Sequence, residues 1–98
     1  MKIVNEKTAY ENLANAIVEK AAEDYLEGKK HLWSLQYGPK RSRAYKNKSA
    51  LIVKWTGIKD SAESFLRSER LAIFTDIKGE YLISKLDEEF DKWKSARL

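Results

Sequence analysis

The chain has no cysteine among its 98 residues, which removes disulfides, thiolate nucleophiles and thiolate metal sites together. That usage fits a reducing compartment such as the cytoplasm. A single histidine, His31, excludes any paired-histidine metal centre and the helical zinc motif. Four glycines, at positions 28, 38, 57 and 79, never cluster, so there is no glycine loop to cradle a phosphate group. No apolar run approaches the roughly 18 residues a bilayer span needs; the longest uncharged stretch, 31–39, has nine. The start, Met1-Lys2-Ile3-Val4-Asn5-Glu6, lacks the apolar centre of a secretion signal. Soluble and cytoplasmic, with no membrane partner and no cofactor, is the expectation.

One further absence is regional. From residue 28 to 59 there is no aspartate or glutamate, yet nine lysines and arginines. The flanks are acidic: regional balances of −3, +9 and −2 make up the net +4. A small chain that concentrates its positive charge in this way presents a surface for a negatively charged partner.

What is present reads as helix. An apolar fraction of 43% and eleven aromatics, against 35% charged residues, give enough apolar surface for one core and exclude disorder. At this length a chain buries about two-thirds of its unfolded surface around a single core. Residues 1–98 are therefore expected to form one helical domain, with a basic inter-helix stretch near 37–48.

Thr8, with Glu11 three positions on, has the spacing of a capping box. Tyr10, Leu13, Ala14, Ile17, Val18, Ala21, Tyr25 and Leu26 follow at three- and four-residue intervals, one stripe on one helical face. Gly28 can end this helix, or the residues up to Leu35 can continue it; Gly38-Pro39 must break it. Asn47 or Ser49 can start a second helix, with Leu51, Ile52, Trp55, Ile58, Ala62, Phe65 and Leu66 on one face. Gly57 inside that pattern costs about 1 kcal/mol relative to alanine and marks a bend or a tight contact. Ser68 suits the cap of a short helix over 69–74, and Thr75 or Asp76 the cap of a last helix carrying Leu82, Ile83, Leu86, Phe90 and Trp93. On this pattern the fold class is all-α: an antiparallel bundle of three long helices, plus one short helix before the last.

Parts of this pattern resemble a known group. Glu11-Asn12-Leu13-Ala14, the stretch from Ala16 to Ala21 and Asp24-Tyr25 are similar to the opening of small proteins encoded by phages and prophages of Gram-positive bacteria. Phe65-Leu66-Arg67-Ser68, Ile73-Phe74-Thr75-Asp76 and Gly79-Glu80-Tyr81-Leu82-Ile83 stand where those proteins carry Phe-Phe-Arg-Ser, Leu-Thr-Asp and Gly-Glu-Tyr. Leu66 and Leu71 replace aromatics usual there, and the basic stretch is longer. The resemblance covers nearly the whole chain. It implies a phage origin and a shared helical fold, and carries no activity with it.

Catalytic chemistry finds little support. Glu19, Glu23 and Glu27 form a carboxylate row on the first helix, and Asp87, Glu88, Glu89 and Asp91 crowd the last. Either row has the residue type for a divalent ion or acid–base work. Both lie opposite the apolar stripes, however, and read as solvated faces. His31, beside Lys29 and Lys30, belongs to the basic surface rather than to a triad. The chain is expected not to be an enzyme.

The binding candidates are Lys40, Arg41, Arg43, Lys46 and Lys48, five cations in nine residues, with Tyr45 among them and Trp33 and Tyr37 before them. Phosphate neutralisation by such a cluster releases counterions and favours nucleic acid without reading sequence. Interleaved tyrosine can stack on unpaired bases. Trp33 and Trp55 adjoin apolar stripes and read as anchors instead. A plainly solvated loop is the alternative. Helix-turn-helix reading by the last helix is disfavoured, because Asp76 and Glu80 at its start would face phosphates. The sequence thus points to an accessory protein binding nucleic acid or an acidic or nucleoprotein host complex. The other reading is a protein-interaction module that inhibits a host defence complex, in the manner of an anti-CRISPR, or a replication complex. A homodimer is compatible with either.

Overall fold

The computed structural model describes residues 6–37 and 47–97, with side-chain surroundings from Leu13 onward. All regular structure among them is helical: α1 (Glu6–Tyr37), α2 (Lys48–Leu66), α3 (Leu71–Phe74) and α4 (Gly79–Ser95). At about 1.5 Å per residue, the 32 residues of α1 run about 48 Å. The longest dimension of the molecule, 51 Å, is therefore set by this one helix.

The three apolar stripes meet in a core of Ala21 and Tyr25 from α1, Ala62 and Leu66 from α2, Leu71 from α3 and Ile83 from α4. Val18, Phe65, Leu82 and Leu86 close over it. Leu66 and Leu71, at 1% and 2% exposure, are its most deeply buried members. They occupy two of the positions where the resembled proteins carry aromatics. Phe90 and Leu35 are buried beyond this core, toward the C-terminal ends of α4 and α1. The stripes are not uniformly buried. Leu13 remains 59% exposed.

Helix ends depart from expectation in ways with physical causes. Thr8 lies inside α1 rather than capping it. Gly28 does not end α1, which continues to Tyr37. Its backbone is instead buried against α2: a Cβ there would sit 2.7 Å from the Lys59 Cβ, so the missing side chain lets the two helices approach. Gly57 has open space where a Cβ would be, so the tight contact expected of it belongs to Gly28. Asn47 holds the N-cap position of α2, as expected, without a side-chain bond. Ser68 does not cap a helix over 69–74. Its hydroxyl donates to the Phe65 carbonyl (2.7 Å) and helps close α2, while α3 begins only at Leu71. Thr75 ends α3, and its Oγ1 accepts a bond from the Ile77 amide (3.2 Å), a local turn that delays the last helix to Gly79. Gly79 starts α4 with its Cα against the Leu66 carbonyl, where a Cβ would collide.

Candidate functional site

Of the residues selected from the sequence, Lys40, Arg41, Arg43, Tyr45 and Lys46 lie outside the described residues. Lys48 is the first residue of α2. The residues bracketing the 38–46 segment, Tyr37 and Asn47, stand at the C-terminal end of α1 and the N-cap of α2. The last turns of α1, the first turns of α2 and the end of α4 meet at this end of the described structure.

Aromatic rings and cations alternate there. On the α2 side His31 lies flat on Trp55, with centroids 3.8 Å apart and planes 5° from parallel. The Lys54 ammonium sits 5.1 Å from the centre of the same indole. On the α4 side Trp33 meets Trp93 edge-on at 5.4 Å, and Tyr37 tilts against Trp33 at 5.6 Å. The Arg97 guanidinium stands 3.9 Å over Trp93, with Lys30 at 5.7 Å from the same ring. Lys94 and Lys29 approach the Phe90 ring at 5.3 and 4.6 Å. Each contact satisfies a ring face with positive charge, worth about 0.5–1 kcal/mol where solvent reaches it. Trp33 and Trp55 are half-buried, consistent with the anchoring role read from the sequence. Tyr37 is 64% exposed.

Some of the nine central cations serve the fold itself. The Lys29 Nζ donates to the Asp87 carboxylate at 2.6 Å, and the Tyr25 hydroxyl donates to the same Oδ1 at 2.7 Å. Lys59 lies 3.1 Å from Asp60 and 3.5 Å from Glu63, and Lys30 stands 3.8 Å from Glu27. His31 Nε2 is likewise 3.8 Å from Glu27.

Asp87 corrects the expectation of a solvated carboxylate row on the last helix. Burial alone would raise its carboxyl, but the bonds from Lys29 and Tyr25 outweigh that and hold it below its ordinary value near 3.8. Burial pushes the Tyr25 phenol up, and its bond to Asp87 pushes it further. Tyr25, Lys29 and Asp87 thus tie α1 to α4 through a polar junction at the edge of the core. Its neighbours behave as expected of a wet face: Glu88 lies 3.5 Å from Lys85 and Asp91 3.7 Å from Lys94. Among the described residues no three histidine, aspartate or glutamate side chains converge as metal ligands. No described helix is long and apolar enough to cross a membrane. Arg67 is engaged by Glu63, to which its Nε donates at 2.9 Å.

Trp93, read from the sequence as part of an apolar stripe, Lys30, read as part of the basic surface, and Arg97 and Lys54 were not among the binding candidates. Their spacing held a partial signal: Trp33/Tyr37 and Trp93/Arg97 are each four apart on one helical face. The meeting of Trp33 with Trp93 joins two helices 60 positions apart and leaves no local trace.

No protein-family model matches the chain, and neither a curated protein nor a solved structure gives a significant match.

Proposed function

We propose that this chain is a non-enzymatic, phage-type accessory protein of the bacterial cytoplasm that binds a polyanion, nucleic acid or nucleoprotein, through Lys40, Arg41, Arg43, Tyr45, Lys46 and Lys48. The observation that carries the reading is the acid-free segment 28–59 between two acidic flanks. Lys54 extends it along α2, where it faces an indole ring rather than a carboxylate. Lys29, Lys30 and Lys59 lie beside carboxylates, and five of the nine central cations stand in 40–48. The scaffold that presents the segment is an antiparallel three-helix bundle. Pairing of Gly28 with Lys59 and of His31 with Trp55 supports opposed directions for α1 and α2. Tyr25 with Asp87 and Trp33 with Trp93 support α4 running alongside α1 in the same direction.

Four or five phosphate contacts imply that affinity for duplex DNA falls with salt along a log–log slope of about −4. A filter-binding titration from low to moderate salt measures it. Affinity indifferent to salt overturns the reading.

A second reading, a module that binds and inhibits a host defence or replication complex, is favoured by exposed apolar side chains around α3. Ile73, Ile77 and Tyr81 are 77%, 48% and 57% exposed. Copurification of a host protein that survives nuclease treatment supports this reading; loss of every partner on nuclease treatment supports the first.

A further inference from the structure

We infer that the polyanion is an unpaired nucleic-acid strand, and that Tyr37, steadied by the Trp33–Trp93 pair, is a stacking surface for one of its bases. The inference rests on the polyanion reading above and specifies its ligand.

Three features of the end of α1 carry it. First, Tyr37 is the last residue of α1, directly before the basic 38–46 segment, and its ring is 64% exposed. One side of that ring leans on Trp33, 5.6 Å away and tilted by 44°. The phenol therefore projects from the end of α1 with an aromatic neighbour restricting its direction, which lowers the entropy lost when a base lands on it. Second, the support is itself braced. Trp33 meets Trp93 at 81°, and Arg97 stands over Trp93. Third, cations accompany the rings. Arg97 and Lys54 lie over Trp93 and Trp55, and among the described residues no carboxylate faces either. The acids at this end, Glu27 and Asp91, lie beside Lys30, His31 and Lys94 instead, at 3.7–3.8 Å.

An exposed ring on a helix end that also carries cations suits a strand whose bases are splayed out, because every base has a π-face and the phosphates follow the cations. A duplex keeps its bases stacked inside and offers Tyr37 nothing. Binding by charge alone would favour the duplex, whose charge density is the higher.

The test compares three probes of similar charge with the full chain: a labelled single-stranded oligothymidylate, a duplex of matched charge, and inorganic polyphosphate. The oligothymidylate is expected to bind tightest. Tyr37→Ala should weaken it about five- to hundredfold, the loss of one stacked base, while polyphosphate affinity stays unchanged and Tyr37→Phe restores wild-type binding. Circular dichroism of each variant reads the helix content directly. Equal affinity for strand and duplex overturns the inference and leaves the polyanion reading standing, as does a Tyr37→Ala variant that binds the strand like wild type. Failure to bind any of the three probes overturns both.

Discussion

Asp87 illustrates how a side chain's role is decided by what reaches it from another helix. In sequence it is one of four acids crowded into residues 87–91; in the fold it accepts from Tyr25 and Lys29, both on α1. Because its folded pKa lies below its unfolded one, the junction stabilises the native state above the unfolded value near 3.8. That contribution is lost as pH falls through the lower, folded value. Asp87→Ala leaves the buried Tyr25 hydroxyl and the Lys29 ammonium without their acceptor and is expected to cost about 1–2 kcal/mol at pH 7, the partial exposure of the carboxylate keeping the figure modest. The difference from wild type should shrink below about pH 4. Urea denaturation of both proteins at pH 7 and at pH 3 checks it, and a gap that widens in acid contradicts the assignment. The signal available beforehand was half of the junction, since Tyr25 and Lys29 stand one turn apart. The other half comes from 58 residues away in the chain, and amphipathic periodicity does not say which acid faces inward.

At the scale of the element, the two interior glycines separate. Gly28 is buried at the α1–α2 contact, whereas Gly57 faces open space. A methyl group at 28 meets the Cβ and Cα of Lys59, which cannot yield without moving the helices apart. Gly28→Ala is expected to lose about 1–2 kcal/mol net, overpacking outweighing the gain in helix propensity. Gly57→Ala should gain about 0.5–1 kcal/mol, because nothing opposes the better helix former. Thermal melts of the two variants check the opposite signs; a stabilised Gly28→Ala would show that the helices are not in close approach there.

Helical identity was legible throughout, because the three- and four-residue apolar spacing survives in α1, α2 and α4. Their ends were less so. A serine or threonine hydroxyl bonds equally well backward to a carbonyl, as Ser68 does to Phe65, or forward as a cap, and spacing alone does not choose. Thr75 similarly forms a turn with Ile77, so α4 starts three residues later than its polar start signals suggest. Gly28 was ambiguous for a related reason: a glycine reads alike as a helix end and as a place where another backbone passes.

Across the whole molecule, the proposed function depends on charge concentrated in one stretch of the chain. The concentration of cations in 28–59 was visible in composition alone. Their division was not: Lys29 and Lys59 have carboxylate partners on the helices, whereas Lys54 lies over an aromatic ring. Nor did the sequence show that Trp33, Tyr37, Trp93 and Arg97 would gather at one end of the helices. That gathering needs α1 and α4 to end together, which follows from the packing of Ile83 and Phe90 rather than from any motif.

The most direct test of the central claim is the salt dependence of duplex DNA binding for wild type and for a variant with Lys40, Arg41, Arg43 and Lys46 all changed to alanine. The wild-type log–log slope of about −4 should flatten by about three to four in the variant, with helix content unchanged by circular dichroism. Two titrations of equal slope would contradict it, because the charges removed would then make no contact with phosphate.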